Sequence, residues 1–414
     1  MRKLINWYSN LHIAYKLLPF LFLYLLICIA FPKNLDEGDQ RRYLQFAQNI
    51  LNGFYSPPQQ MNLWNGPGYP LFLSVFLFLK VPVTALSVLN AFLLYFSLII
   101  GYKTFCLYFS KEKAFILTFF LGLYFPIFEE MRQVLTETFA WFLVSAICYL
   151  FAKSLKEQIF SWKLILLCGF SIAFLAMAKV IFGYVIIIML LVSVFMCLFP
   201  VFRNSAKRST LIFTVAFIFC LPWLCYTYSI TKRFFYWTNS GSMSLYTMTT
   251  PYDNESGQWY GEDLLLKNPN HAVFIDSISN LSPLSKDDAY KTAALKNIKT
   301  HPKKYAFNFI SNIGRLLFFP SSYAPDTIWS YYPFIPNMFL VVLIFLGLII
   351  SIKYYKKVPQ EIVFLFLFIF IYLMGSTFVS AYRRMFYISV PFWLLFIAYV
   401  FNNIVTIKLN RNNE

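Results

Sequence analysis

Residues 361–380 read EIVFLFLFIFIYLMGSTFVS, and only the first of these residues carries a charge. An α-helix of about 20 apolar residues is long enough to cross the roughly 30 Å hydrocarbon core of a bilayer. Similar apolar runs recur along the whole chain, at 15–32, 83–102, 113–128, 134–152, 163–178, 180–199, 210–229, 337–352 and 385–406. The sequence therefore predicts an all-α polytopic membrane protein with about ten transmembrane helices.

The composition of the 414 residues supports this class. Hydrophobic residues make up 59% of the chain and charged residues only 13%, whereas about a quarter of the residues are charged in soluble globular domains. This balance excludes a soluble globular protein, and the high hydrophobicity excludes an intrinsically disordered one. The seven cysteines fall within or at the edges of apolar runs. No disulfide framework and no cysteine metal site is therefore predicted.

The net charge of +17 follows the predicted topology. An even number of crossings places both termini on one side, and the short loops on that side are rich in lysine and arginine. Lys103, Lys111 and Lys113 lie around one of these loops, and three lysines lie within 353–357. The positive-inside rule makes this side cytoplasmic, together with both termini. The charge is thus a topology signal and does not indicate a nucleic-acid partner.

The predicted external segments are unequal in length and divide the chain into three parts. An N-terminal transmembrane module covers 1–229 and includes a first loop at 33–82. A large loop follows at 230–336, and C-terminal transmembrane helices cover 337–414. An amphipathic helix is expected at 39–51, with one face formed by Asp39, Tyr43, Phe46, Ala47 and Ile50. Another is expected at 287–300, with one face formed by Tyr290, Ala294, Leu295 and Ile298. The apolar and aromatic segment 305–319 is expected to lie in the membrane interface.

Charged residues at the external ends of the predicted helices are candidates for chemistry, because ionisable groups at membrane depth are costly and commonly functional. They form four clusters: Asp36, Glu37 and Asp39; Glu129, Glu130, Arg132 and Glu137; Lys179; and Arg383 with Arg384. Each also has a structural interpretation. The aspartates can cap a helix, Glu129 and Glu130 can be solvated loop charges, and the cations can anchor helices at the interface.

Short motifs occur in a consistent order along the chain. They are Asp39-Gln-Arg-Arg-Tyr43 with Ala47, Pro67-Gly-Tyr69-Pro, Leu135-Thr-Glu137-Thr, Ala178-Lys179, Leu221-Pro-Trp223, Leu245-Tyr246, Ala294 to Pro302, and Arg383-Arg384-Met-Phe-Tyr. Together they resemble the family 39-type glycosyltransferases of the GT-C fold, which are similar to protein O-mannosyltransferases and to the lipid A aminoarabinose transferase. The sequence departs from that pattern after Trp223, where the expected Asn is missing, and after the paired arginines, where Met and Phe precede Tyr.

The resemblance implies an inverting glycosyltransferase of a bacterial inner membrane. It would move a sugar from a polyprenyl-phosphate donor to a hydroxyl of a lipid, glycan or protein acceptor on the external face, in contact with membrane lipids. Asp39 would be the base, with Asp36 as the open alternative, and Glu137 would orient a substrate or help to bind a divalent cation. The implied substrate-binding residues are Lys179, Arg383, Arg384, Tyr43, Tyr69 and Tyr246. No cofactor is required by the sequence, and no metal-ligand spacing is evident.

Two other functions stay open. An O-antigen polymerase or ligase also uses polyprenyl-linked donors, but it would not need the helix containing Asp39, Tyr43 and Ala47 directly after the first crossing. A membrane transporter would place charges near the midplane, on broken helices and often within inverted repeats. Here the charges are expected at one membrane edge, and no repeat is evident in the sequence.

Overall fold

The computed structural model describes residues 11–33, 38–57, 60–319 and 328–405, and in these ranges it contains helices and no strands. We number the α-helices in chain order: α1 Ile13–Ala30, α2 Gly38–Leu51, α3 Gly68–Phe78, α4 Val83–Phe105, α5 Lys111–Gly122, α6 Ile127–Met131, α7 Thr136–Lys156, α8 Trp162–Ala178, α9 Ile181–Met196, α10 Arg203–Thr231, α11 Gly241–Met248, α12 Glu262–Lys267, α13 Ala272–Ile278, α14 Pro283–Thr300, α15 Pro302–Leu317, α16 Phe334–Lys353, α17 Gln360–Val379, α18 Arg383–Tyr387 and α19 Val390–Asn403. Short 3₁₀ helices, Ile328–Tyr331 and Tyr355–Lys357, flank α16. The predicted all-α class is confirmed for the described residues.

Six of the helices are long and apolar enough to cross a membrane, namely α1, α4, α7, α10, α16 and α17. The other four predicted crossings coincide with shorter helices, α5, α8, α9 and α19. The longest of these, α8, has 17 residues and spans about 25 Å at 1.5 Å per residue. That is less than the roughly 30 Å of a typical hydrocarbon core. The count of ten crossings therefore stays a prediction.

Among the six helices that are long and apolar enough to cross a membrane, α7 is the most enclosed. Two thirds of its apolar window is buried (67%), against 22% for α1 and for α16. It packs against α4, α8 and α17, and buried side chains such as Phe139, Ala140 and Trp141 follow one another without interruption. A helix that is apolar on all sides belongs in the interior. Its first turn, which carries Glu137, is therefore held by several neighbouring helices.

The first loop contains the predicted amphipathic helix, now α2. This helix begins at Gly38 and ends at Leu51, two residues before Gly53, which adopts a left-handed φ of 87°. Tyr43 and Ala47 on its predicted inner face are both buried. Helix α3 follows and packs against α2 and α8. The loop thus contributes two short helices that rest on the transmembrane bundle.

Two glycines let the first loop lie directly on the end of α8. A Cβ atom on Gly66 would lie 2.1 Å from the carbonyl oxygen of Met177, and one on Gly68 would lie 2.6 Å from the backbone nitrogen of Ala178. Both distances are far below van der Waals contact, so any larger residue would push the two segments apart. The absence of side chains at these positions brings the loop beside Lys179, the next residue of the chain.

The large loop has an apolar core of its own. Helix α11 packs against α14, and the buried residues of this core are Met243, Tyr246, Leu265, Ile275, Ile278, Tyr290 and Ala294. Helix α14 begins earlier than predicted, because the hydroxyl of Ser282 caps it by accepting a hydrogen bond from the backbone of Ser285. Leu295, which was expected on the buried face, is 52% exposed. It follows Ala294 directly and therefore lies about 100° away around the helix.

Helix α15 has polar residues on its inner face and apolar residues outside. Asn308, Asn312 and Arg315 are buried against other parts of the chain, whereas Phe307 and Ile310 are 56% and 67% exposed. This inversion of the usual pattern is typical of a helix that lies against lipid. The interfacial position expected for 305–319 therefore has a structural rationale, and it stays a prediction.

Candidate active site

Four helix ends meet at one point of the bundle. Asp39 lies in the first turn of α2 and Glu137 in the first turn of α7, whereas Lys179 directly follows the last residue of α8 and Arg384 lies in α18. These stretches are distant in sequence, yet their side chains are within ion-pair range of one another. We call these four residues and Arg42, which pairs with Asp39, the charged cluster.

Arg384 joins the two carboxylates of the charged cluster. Its Nη2 atom lies 3.2 Å from Oδ2 of Asp39, and its Nε atom lies 3.4 Å from Oε1 of Glu137. The Nζ atom of Lys179 donates to the same Oε1 at 2.6 Å, and Arg42 pairs with Oδ1 of Asp39. The charges therefore form one continuous chain in which cations and carboxylates alternate.

The two carboxylates differ in their access to solvent. The side chain of Asp39 is 32% exposed, and that of its partner Arg384 is 30% exposed. The side chain of Glu137 is only 1% exposed. Asp39 and Arg384 are therefore accessible from solvent, whereas Glu137 is enclosed and pairs with Arg384 and Lys179.

Asp39 is held in its ionised form. Burial opposes ionisation, but the positive charges of Arg384 and Arg42 outweigh it and keep the pKa of Asp39 below its ordinary value. The first turn of a helix adds the partial positive charge of the helix N-terminus. At neutral pH the accessible carboxylate is therefore free of a proton and able to accept one.

Glu130 belongs to this region, although sequence reasoning treated it as a solvated loop charge. It lies in the short helix α6, which packs against α1, α4, α7 and α18, and only 7% of it is exposed. Burial, and next the negative charge of Glu137, raise the pKa of Glu130 to about 8. At neutral pH it is largely protonated, so the charged cluster keeps its surplus of positive charge.

Arg383 makes different contacts from its neighbour Arg384. Its Nη2 atom lies 3.4 Å from Oε2 of Glu129, and its Nη1 atom donates to the carbonyl oxygen of Ser330. Its guanidinium also lies 5.8 Å from the centre of the Tyr332 ring. The sequence left open which arginine corresponds to the family motif. The geometry separates them, because only Arg384 contacts Asp39 and Glu137.

Tyr43 and Tyr69 pack together beside the charged cluster, with ring centres 5.2 Å apart in an edge-to-face arrangement. The hydroxyl of Tyr43 accepts a hydrogen bond from Nδ2 of Asn65 at 3.1 Å. Nε of Arg42 donates to Oδ1 of the same Asn65 at 2.8 Å. Asn65 thus positions two members of the site, and sequence reasoning missed it. The sequence feature that could have identified Asn65 is its position at the start of a turn, since 65–70 contains two glycines and two prolines.

Tyr246, a predicted substrate-binding residue, lies away from the charged cluster. Tyr246 lies in α11, where its hydroxyl is 2.8 Å from Nδ1 of His271 and its ring belongs to the core of the large loop. This placement follows from the packing of α11 on α14. Asp36 lies outside the described residues, so only Asp39 of the two alternative bases has a structural environment that can be described.

No group of three or more His, Cys, Asp or Glu side chains within the described ranges is placed to hold a metal ion. Glu137, which the sequence analysis associated with a divalent cation, is paired with Arg384 and Lys179. The involvement of a divalent cation stays a prediction.

The likeness to the family 39-type glycosyltransferases is one of short motifs in a common order. No family model, no curated protein and no solved structure matches the chain.

Proposed function

We propose that this chain is an integral-membrane inverting glycosyltransferase of the GT-C type. It moves a sugar from a polyprenyl-phosphate donor to an acceptor hydroxyl at the external membrane face. The observation that carries this proposal is the contact between an accessible carboxylate, Asp39, and an accessible guanidinium, Arg384. The reaction needs such a pair, since the acceptor hydroxyl requires a base and the leaving phosphate requires a cation.

The charge of the cluster suits the charge of the donor. Arg42, Lys179 and Arg384 are cations, whereas Asp39 and Glu137 are the only anions paired with them among the described residues. A sugar linked to a polyprenol through a phosphodiester carries a single negative charge, and this charge would balance the surplus cation. The planar fork of arginine suits two phosphate oxygens at once.

The chemistry then follows in a single displacement. The acceptor hydroxyl attacks the anomeric carbon and loses its proton to Asp39, while the bond between that carbon and the phosphate oxygen breaks. The polyprenyl phosphate leaves with an additional negative charge, which Arg384 and Lys179 stabilise. One displacement inverts the anomeric centre. Glu137 acts by holding the two cations in position.

Arg384 also links donor binding to the basicity of Asp39. Burial raises the pKa of Asp39, but the positive charge of Arg384 contributes to lowering it below its ordinary value. When the anionic phosphate shares this guanidinium, the stabilisation of the Asp39 carboxylate weakens and its affinity for a proton rises. Asp39 would therefore become a better base when the donor is bound, which suits a catalytic group whose pKa should approach the working pH.

The proposal includes a membrane orientation. The charged cluster would lie at the non-cytoplasmic face of a bacterial inner membrane, with both termini in the cytoplasm and ten helices crossing the bilayer. Apolar surfaces between the helices would take the prenyl chain. Helix α15 would lie against the lipid through Phe307 and Ile310, which are exposed, and the large loop would cover the acceptor.

The variant Asp39→Asn tests the proposal. The purified chain would be reconstituted in proteoliposomes with a polyprenyl-phosphate donor that carries a radiolabelled sugar, together with a lipid and glycan extract. We expect transfer by the unchanged chain and a loss of about 100-fold or more in Asp39→Asn, because general base catalysis contributes about that much.

Asp263→Asn is the matched control, because it makes the same change at an exposed position in the large loop. It should keep full activity, and the thermal unfolding midpoints of both variants should equal that of the unchanged chain. Undiminished transfer by Asp39→Asn would refute its role. Label that crosses the bilayer without being attached to an acceptor would favour a transporter instead.

A further inference from the structure

A cavity of about 380 Å³ lies between the first loop and the large loop. Gln45, Asn62 and Trp64 line it from the first loop, and Asn239 and Tyr290 are among the residues that line it from the large loop. Its volume falls within the range of small-molecule binding sites, about 300–1,000 Å³. The cavity lies outside the contacts that define the charged cluster.

The two walls of this cavity are joined to each other. The backbone nitrogen of Asn239 donates to the carbonyl oxygen of Leu63 at 3.2 Å. The next residue, Trp64, packs against the core of the large loop, and its backbone nitrogen donates to Oδ1 of Asn62 at 3.1 Å. These contacts hold the walls at a fixed separation, so the cavity is formed before any ligand arrives.

The charged side chains that line the cavity are Glu262, Lys286 and Asp287, which carry no surplus of positive charge. Glu262 accepts hydrogen bonds from the hydroxyl of Tyr290 at 2.9 Å and from Nζ of Lys286 at 3.3 Å. Asp287 lies 3.4 Å from Nη1 of Arg233. An anionic ligand such as a phosphate would therefore meet no surplus of positive charge. The cavity favours a neutral ligand, in contrast to the charged cluster.

The remaining polar groups suit a ligand that is rich in hydroxyls. Gln45, Asn62 and Asn239 carry side-chain amides, which both donate and accept hydrogen bonds. Asn239 lines the cavity and is partly exposed, although its Oδ1 atom is itself buried. The rings of Trp64 and Tyr290 add flat apolar surfaces that can cover the carbon-bound hydrogens of a sugar ring.

Trp64 links the cavity to the charged cluster. The guanidinium of Arg42 lies 5.3 Å from the centre of the Trp64 ring, within the range of a cation–π contact. Arg42 in turn pairs with Asp39. Side-chain contacts through Trp64 and Arg42 therefore connect the cavity to the proposed base, Asp39.

We infer that the cavity binds a neutral saccharide and that the acceptor of the proposed transfer is a glycan. The acceptor role rests on the proposed function, whereas the binding of a saccharide does not. A protein acceptor or an unglycosylated lipid acceptor would leave the polar lining and the joined walls without a use.

Ser279→Trp tests this inference by filling the cavity, because Ser279 lines it and is itself exposed. The full-length chain in lipid nanodiscs would be applied to an array of neutral and acidic oligosaccharides. We expect the unchanged chain to bind neutral oligosaccharides and Ser279→Trp to bind them at least tenfold more weakly. Ser277→Trp is the matched control, since Ser277 is exposed and lies outside the cavity lining; it should bind normally.

Asn239→Ala provides a milder second variant, which should weaken binding several-fold without filling the space. The inference is overturned if no oligosaccharide binds, if only acidic ones bind, or if Ser279→Trp and Asn239→Ala both bind as the unchanged chain does. Asp39→Asn should bind oligosaccharides normally. Saccharide binding without any sugar transfer in proteoliposomes would therefore refute the proposed function and leave the saccharide site standing.

Discussion

The charged cluster and the hydrogen-bond network around Glu255 in the large loop use similar side chains in different ways. The side chain of Glu255 is 7% exposed, and its two oxygens accept from Asn268, Asn270 and His271, each at 2.9 Å, and from Thr250. Asp39 is 32% exposed and is shared between two arginines. One carboxylate is thus enclosed by hydrogen-bond donors, whereas the other is partly exposed beside cations.

The origin of the partners differs as well. Among the described residues, the partners of the Glu255 carboxylate lie within 250–271, so this network is local and can form within the large loop. Asp39 and Arg384 are 345 residues apart, and their pair depends on the packing of the whole bundle. A closed and satisfied network stabilises the structure around it. An open cluster with a surplus of charge keeps its capacity to bind a ligand, and this difference identifies it as the better candidate for chemistry.

The most direct test of this comparison replaces the adjacent arginines, Arg383 and Arg384, one at a time. Arg384→Gln should lower sugar transfer by about 10- to 100-fold, because a hydrogen bond to a charged group contributes about 1.5–3 kcal/mol. Arg383→Gln should lower it clearly less, since Arg383 contacts Glu129 and Ser330 instead of Asp39. Initial rates in proteoliposomes would measure both. An equal or larger loss of sugar transfer in Arg383→Gln would contradict the assignment of the phosphate contact to Arg384.

A second test concerns the hydrogen-bond network around Glu255. Glu255→Ala removes the shared acceptor and leaves buried donors unpaired, at a cost of about 1–3 kcal/mol. We expect faster hydrogen–deuterium exchange across 241–300, with little change in the intrinsic chemistry at Asp39. Asp263→Ala is the control, because that carboxylate is exposed. Unchanged exchange in Glu255→Ala would show that the network does not stabilise the large loop.

The hydrogen-bond network around Glu255 predicts that the stability of the large loop depends on pH. Burial opposes the ionisation of Glu255, but hydrogen bonds from His271, Thr250, Asn270 and Asn268 outweigh it and lower its pKa to about 2. The stabilisation is therefore fully present above the ordinary pKa value of 4.5 and is lost as the pH falls toward 2. Protection factors across 241–300, which correct for the pH dependence of intrinsic amide exchange, should fall over this range, and they should fall less in Glu255→Ala.

The smallest expected effect concerns Glu130. Its pKa, raised to about 8 by burial and by Glu137, means that its neutral form is lost as the pH rises through 8. The new negative charge faces Glu137, Arg384, Glu129 and Lys179 and reduces the surplus of positive charge. The KM for the donor should rise a few-fold between pH 7 and pH 9. Glu130→Gln should reduce this rise in KM. If the KM of Glu130→Gln depends on pH as that of the unchanged chain does, Glu130 does not influence donor binding.

Much of the fold could be predicted from the sequence, because apolar runs and amphipathic spacing are local properties. The helix that contains Asp39, Tyr43 and Ala47 has the expected face and ends before Gly53. The lengths of α5, α8, α9 and α19 were less predictable, since an apolar run does not show where the backbone turns. The core of the large loop was also missed, because its residues are contributed by several short helices.

The sequence by itself determined that the chain is helical and apolar, and it identified Asp39, Glu137, Lys179 and the two arginines as candidates. Only the tertiary structure decided that Arg384, and not Arg383, joins the two carboxylates, that Glu130 is enclosed, and that Asn65 holds Arg42. The physical reason is the separation along the chain over which each property is determined. Hydropathy is set by neighbours along the chain, whereas an ion pair across 345 residues depends on how the helices between them pack.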